Sequence, residues 1–214
     1  MEKATSNLEV IAQRIRASFT AKDMAREKAL RLCREAIRYS ADAIRAIHRS
    51  EFDQTRSSLD TAYRLLQEVA ETLAEHSDLL YAGFVHDSQK EYAEGCSTLA
   101  LALNEALPTP EALGVRDAAY LQGLGEAVGE MRRYILDTIR KGDISRCEEL
   151  LSDMDDIYGV LVTMDFPDAL TYGLRRTTDV VRGILEKTRG DLTLAIGQRD
   201  LEQRLERFKR GGEE

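Results

Sequence analysis

Residues 116–141 have the sequence RDAAYLQGLGEAVGEMRRYILDTIRK, in which apolar residues recur every three or four positions. At 100° per residue, six of them form a single face, as is typical of a helix packed against a core. They are Leu121, Leu124, Val128, Met131, Ile135 and Ile139. Glu126, Glu130 and Asp137 fall on the opposite face. Lys141 followed by Gly142 fits a helix C-terminus. The stretch therefore predicts one amphipathic helix.

The same pattern extends along the chain and predicts an all-α protein with a single domain, residues 1–214. Of its 214 residues, 43% are hydrophobic, only three are Pro, and Leu, Ala, Glu and Arg are abundant. We expect an antiparallel bundle of six to seven helices with short connections. The second helix is predicted to take Ser50 as its N-cap, and the last to be interrupted near Gly190. The predicted ranges are about 6–49, 51–77, 79–107, 116–141, 144–164 and 167–210.

Charge and apolar content favour a cytoplasmic protein that does not enter a membrane. The net charge is −8, although residues 1–50 carry 11 Lys and Arg against 6 Asp and Glu. No apolar run resembles a signal peptide, and the uncharged stretch 95–104 is too short to span a bilayer. The three cysteines lie far apart, as expected in a reducing compartment.

Two pairs of glutamates lie at helical spacing: Glu91 with Glu94, and Glu126 with Glu130. Spacings of three and four place each pair on one helix face, where like charges repel. A divalent cation such as Mg²⁺ would turn that repulsion into coordination, because it prefers carboxylate oxygens. The periodicity, however, turns all four side chains away from the core. An ordinary solvated face is therefore the alternative to a metal site.

Small residues surround these acids, and one histidine lies close to them. Glycine costs about 1 kcal/mol in a helix interior, so a group of them indicates close approach by another helix or by a ligand. The glycines are Gly95, Gly123, Gly125 and Gly129. The histidine is His86, one turn before Lys90, which is a further candidate ligand or base, or an incidental residue.

A stripe of arginines runs along the predicted first helix. It comprises Arg31, Arg34, Arg38, Arg45 and Arg49, opposite an apolar face. Arginine binds phosphate oxygens in bidentate fashion, so the stripe suits a nucleic-acid backbone. The alternative is a set of ion pairs with nearby acids such as Asp42.

Three stretches of the chain resemble the translin family, and within it the translin-associated factor X branch. Residues 26–38, REKALRLCREAIR, with AIHR at 46–49, are similar to the long basic first helix of the family. KEYAE at 90–94 is similar to its Lys-Glu-Tyr-x-Glu motif. YLQGLGEAVGEMRR at 120–133, with KGDI at 141–144, is similar to its second acidic motif.

The resemblance implies a hollow oligomer, an octamer in the family, built here from copies of this chain alone. It also implies a Mg²⁺-dependent endoribonuclease, with Mn²⁺ as a substitute, that cleaves single-stranded RNA. Glu91, Glu94, Glu126 and Glu130 match the catalytic, metal-binding acids, and Glu126 stands where the family has Asp. The main alternative is a non-catalytic binder of single-stranded RNA or DNA of the translin type. A ferritin-like di-iron protein needs Glu-x-x-His pairs, which these spacings do not provide.

Overall fold

The computed structural model describes residue 3 and residues 5–211, and it has no β-strand among them. Six long helices and three single turns of helix make up this part of the chain. Their bounds are α1 Leu8–His48, α2 Phe52–Thr72, α3 Ser77–Leu80, α4 Gly83–Leu103, α5 Pro110–Leu113, α6 Asp117–Arg140, α7 Cys147–Thr163, α8 Asp168–Thr171 and α9 Leu174–Gly211. The six long helices correspond to the six predicted ranges, so the all-α bundle is confirmed.

Several helix boundaries differ from prediction for local reasons. Ser50 is not an N-cap: its φ is +59°, and α2 follows Glu51. Asn104 adopts the left-handed conformation and ends α4 at Leu103, before the predicted end near residue 107. The Thr109 side chain accepts a hydrogen bond from the Ala112 amide at 3.2 Å and caps the short α5. The predicted break near Gly190 is absent, because α9 continues through it.

Helix α4 lies at the centre of the bundle, packed against α1, α2 and α6. Because neighbours cover more than one of its faces, residues on the side that carries the glutamates are also buried, including Leu101 at 6% exposure. Tyr81, inside the predicted helix range 79–107, is exposed because it lies at the end of α3, outside α4. Helix α6 packs against α4 on one side and against α7 and α9 on the other.

Two glycines of α6 allow neighbouring helices to approach its backbone. A Cβ at Gly123 would lie 2.5 Å from the Lys90 carbonyl oxygen and 2.8 Å from the Glu94 amide nitrogen. A Cβ at Gly125 would lie 2.6 Å from the Thr177 methyl group of α9. The expectation that these glycines mark close approach is confirmed, and the approaching groups are helices. The Gly123 contact sets the spacing between the two glutamate-bearing helices.

The two longest helices carry exposed apolar side chains toward the chain ends. Those of α1 are Leu8, Val10, Ile11, Ile15, Phe19 and Met24, and those of α9 are Leu194, Leu201, Leu205 and Phe208. Exposed apolar side chains grouped along a helix are typical of surfaces that contact another protein. None of the helices in the described part of the chain combines the length and the apolar character needed to cross a membrane.

Candidate metal centre and nucleic-acid interface

Glu91, Glu94 and Glu126 converge where α4 and α6 touch, and we call them the glutamate cluster. One carboxylate oxygen from each lies within 4.8 Å of the others. Within residues 5–211 no other set of three His, Cys, Asp or Glu side chains meets this criterion. The backbone contact at Gly123 brings the two helices close enough for side chains 32 or more positions apart in sequence to meet. The predicted pair Glu91 and Glu94 thus meets one member of the second pair, Glu126, in a group of three.

Lys90 already places a positive charge within the glutamate cluster. Its Nζ donates to Oε1 of Glu126 at 2.7 Å and to Oε2 at 2.6 Å, and it lies 3.2 Å from Oε1 of Glu91. Burial lowers the pKa of Lys90, but the hydrogen bond and charge of Glu126, aided by Glu91, outweigh it and raise the pKa overall. The cluster is therefore a site in which a cation is bound through carboxylate oxygens.

Glu94 is the buried member of the glutamate cluster, with 8% of its surface exposed. This corrects the prediction that periodicity turns it toward water: α4 is covered on two sides, so its non-core face is also enclosed. Burial, reinforced by the charges of Glu126 and Glu91, raises the pKa of Glu94 from 4.5 to about 8. Nothing in the described chain donates a hydrogen bond or forms an ion pair to this carboxyl. Glu91 and Glu126 are partly exposed.

Glu130, the fourth predicted ligand, has a different partner. Its Oε2 lies 2.5 Å from Nε2 of His48 at the end of α1, and 3.9 Å from a guanidinium nitrogen of Arg133. The hydrogen bond to His48 lowers the pKa of Glu130 despite partial burial. Glu130 lies outside the three-membered cluster, and its role as a metal ligand stays a prediction. No sequence pattern indicated that His48 would be the partner of Glu130, since the two lie 82 residues apart.

His86 belongs to a packed contact rather than to the glutamate cluster. The side chain is 3% exposed, and its Nε2 lies 3.0 Å from Oε1 of Gln122. Its ring stacks on Tyr172, with centroids 4.1 Å apart. Gln122 in turn donates to the carbonyl oxygens of Thr171 and Tyr172, at 3.1 and 2.5 Å. His86 thus joins α4 and α6 to the turn before α9.

A cavity of about 470 Å³ opens beside the glutamate cluster. Glu94 and Glu126 lie on one wall, and Arg176, Thr177 and the apolar side chains of α9 form the other. Arg176 is exposed and makes no ion pair with the residues described. The sequence did not single out Arg176, because it lies on a separate helix whose position is set by the Gly125 contact. The acidic side chains of Glu94 and Glu126 and the basic side chain of Arg176 therefore line the same cavity.

The arginine stripe of α1 divides into two groups, although all five side chains are exposed. Arg45 pairs with Asp42, and Arg49 pairs with Glu51 at 2.7 Å, as the ion-pair alternative predicts. The other three form no ion pair with any described residue, and Arg38 lies over the Tyr39 ring at 5.2 Å. We call Arg31, Arg34 and Arg38 the open arginines. Their guanidinium groups remain available to an anionic partner.

The donors of the glutamate cluster fit Mg²⁺ or Mn²⁺. The ligand atoms are all carboxylate oxygens, which these hard cations prefer, and the cluster contains no His or Cys ligand that would favour zinc. The bound ammonium of Lys90 indicates that the arrangement accommodates a cation. The uncompensated carboxyl of Glu94 offers a further ligand.

Comparison with known proteins agrees with this architecture, although no protein-family model matches the chain. An uncharacterised protein of Methanocaldococcus jannaschii is 30% identical over 195 residues, which cover 89% of this chain and 85% of that protein. AfC3PO in complex with duplex RNA is 32% identical, with a TM-score of 0.82 over 88% of this chain and 97% of that chain. AfC3PO alone is 29% identical, with a TM-score of 0.81 over 88% and 98% of the two chains. Apo-NeC3PO shares the fold at 20% identity, with a TM-score of 0.73 over 91% and 100%. The chain therefore belongs to the translin family and resembles its translin-associated factor X (C3PO) members.

Proposed function

We propose that this protein is a divalent-metal-dependent endoribonuclease that cleaves single-stranded RNA. The glutamate cluster is the observation that carries the proposal: two helices bring three carboxylates within 4.8 Å of one another. The cavity beside them provides space for a phosphodiester. Mg²⁺ or Mn²⁺ held there would supply Lewis-acid polarisation of the phosphate and activation of water.

The side chains around the cavity have separable tasks. Glu91 and Glu126 would hold the cation as carboxylates, and Glu94 would join them once its carboxyl has lost its proton. Arg176 and Thr177 face them and would hydrogen-bond the phosphate oxygens, which fixes the orientation of the scissile bond. Glu130, fixed by His48, lies next to this group and contributes negative charge near Glu94.

RNA binding rests on charge rather than on sequence recognition. The open arginines present three guanidinium groups along α1 that form no ion pair with the described residues, and these would attract a phosphate backbone without distinguishing bases. The structural relative AfC3PO has been captured with duplex RNA, which supports RNA as the ligand class. Both single-stranded and duplex RNA are therefore needed as test substrates.

A homo-oligomer is part of the proposal. The exposed apolar side chains of α1 and α9 provide surfaces that another copy would cover. The octamer and a cytoplasmic location stay predictions. A sizing measurement would separate an assembly from a free protomer of 24.1 kDa.

Cleavage of labelled RNA in Mg²⁺ and in EDTA tests the proposal. We expect the wild type to cut single-stranded RNA in Mg²⁺ only. Glu94→Gln and Glu126→Gln should each lower the rate by roughly a hundredfold or more, because each removes a carboxylate ligand of the cation that would stabilise the transition state. Glu71→Gln, on the exposed face of α2, is the matched control and should cut at the wild-type rate.

The same assay separates the alternative function. RNA that is bound but left intact in Mg²⁺ and Mn²⁺ would identify a non-catalytic binder of the translin type. Cleavage that persists in EDTA, or in both glutamine variants, would exclude the glutamate cluster as the active site.

A further inference from the structure

The Lys90 ammonium occupies the part of the glutamate cluster that a divalent cation would need. It contacts both oxygens of Glu126, at 2.6 and 2.7 Å, so it lies on the side of the carboxylate where a bidentate cation binds. It also contacts Glu91 at 3.2 Å. Two of the three acids thus share one internal positive charge.

This contact differs from the surface ion pairs of the molecule. The side chain of Lys90 is only 17% exposed, whereas that of Lys28, paired with Glu68 at 2.8 Å, is 47% exposed. Solvent screens exposed pairs strongly, so they contribute little. A charge-assisted pair whose ammonium is largely enclosed is screened less, although the Glu126 side chain is itself 37% exposed. The chain itself therefore supplies one positive charge to the two carboxylates at Lys90.

We infer that Lys90 is the internal counter-ion of the glutamate cluster and that a divalent cation binds only by displacing it. This inference rests on the proposed metal site. An ammonium and a divalent cation cannot both occupy the bidentate face of the Glu126 carboxylate, because they would compete for the same lone pairs and repel each other. The displaced side chain has four methylene groups and can swing out while α4 stays in place. Lys90 keeps the metal-free cluster folded and sets the concentration at which metal enters.

The inference predicts effects of opposite sign in a single variant. Lys90→Met keeps the length of the side chain and removes its charge. Without metal, the unfolding temperature should fall, because Glu126 and Glu91 lose their partner. Affinity for Mn²⁺ should rise by about tenfold to a hundredfold, the range expected when one charge-assisted hydrogen bond no longer has to be broken. A purely structural lysine would lower both quantities.

Titration of Mn²⁺ into the purified full-length protein, followed by calorimetry, tests this coupling without any activity measurement. Lys90→Arg retains the charge and should bind Mn²⁺ no more tightly than the wild type. Lys28→Met removes an exposed ion pair and should leave Mn²⁺ affinity unchanged. Unfolding temperatures in EDTA and in saturating Mn²⁺ complete the set, and metal should stabilise Lys90→Met more than the wild type.

The outcomes separate this inference from the proposed function. Tighter Mn²⁺ binding by Lys90→Met than by the other proteins supports the inference. Mn²⁺ binding by Lys90→Met when the wild type binds none also supports it, but that result would contradict the proposal that the wild-type enzyme works with bound metal. Equal or weaker binding by Lys90→Met, with a wild type that does bind, overturns the inference and leaves the metal site intact. Failure of both proteins to bind Mn²⁺ overturns the metal site and the inference together.

Discussion

Replacing Glu94 by Gln should stabilise the metal-free protein at neutral pH. The Glu94 carboxyl is buried among other acids, which raises its pKa from 4.5 to about 8. In the unfolded chain the group ionises near its ordinary value, so the folded state retains a proton that the unfolded state loses. A raised folded-state pKa favours folding at low pH, and that advantage declines as pH rises from about 4.5 toward 8. The Glu94→Gln variant has no titrating group at this position, so its stability should not show this decline.

The size of the effect follows from the width of that interval. Each pH unit within it changes the free energy of unfolding by about 1.4 kcal/mol. Between pH 5 and pH 7 the wild type should therefore lose roughly 2.5 kcal/mol relative to Glu94→Gln. The side chain is 8% exposed, so solvent screening reduces this value little. Because a neutral Gln resembles a protonated Glu, the two proteins should have similar stability near pH 5.

Urea unfolding at pH 5, 6 and 7 in EDTA, at a fixed protomer concentration, measures this difference. Glu71→Gln on the exposed face of α2 is the control and should follow the wild type at every pH. The reasoning is refuted if the stability of Glu94→Gln runs parallel to that of the wild type from pH 5 to pH 7. Greater stability of the wild type at pH 7 would also refute it.

Three further predictions concern the helix contact, the cavity wall and the RNA surface. Gly123→Ala should lower the free energy of unfolding by about 1–3 kcal/mol, because the added Cβ would meet backbone atoms of α4. Gly129→Ala is the control: the nearest atom to its added Cβ would lie 3.7 Å away, so it should not destabilise the protein in the same urea assay. Arg176→Gln should raise KM or lower kcat for RNA cleavage while Mn²⁺ affinity, measured by calorimetry, stays at the wild-type value; a loss of Mn²⁺ binding would contradict its role on the phosphate side. Alanine at all three open arginines should weaken binding of single-stranded RNA by a similar factor for every sequence, as measured by fluorescence anisotropy. The slope of log affinity against log salt concentration should become shallower by roughly 2. An unchanged slope would show that RNA binds elsewhere.

Helix positions could be predicted because they depend on local signals. The apolar face of residues 116–141 and the Lys141-Gly142 end both appear in the structure as α6, which ends at Arg140 with Gly142 at a φ of +80°. The left-handed residues Ser50 and Asn104 were missed, since φ above zero at a non-glycine residue leaves little trace in the sequence.

The environment of the glutamates could not be predicted from single helices. Periodicity describes one buried face, whereas α4 is enclosed by three helices, so Glu94 is buried although the periodicity turns it away from the core. The partners of the other acids are distant in sequence: Lys90 lies 36 residues from Glu126, and His48 lies 82 residues from Glu130. Such pairs depend on how the helices pack, and the glycines were the only local sign of that packing.

A crystal of the wild-type protein soaked in MnCl₂ tests the metal assignment most directly. Anomalous scattering locates Mn²⁺ independently of any activity. We predict one peak or two adjacent peaks among the carboxylates of Glu91, Glu94 and Glu126, with the Lys90 ammonium moved away from Glu126. No peak at the glutamate cluster under saturating Mn²⁺, or a peak only at other acidic groups, would contradict the assignment.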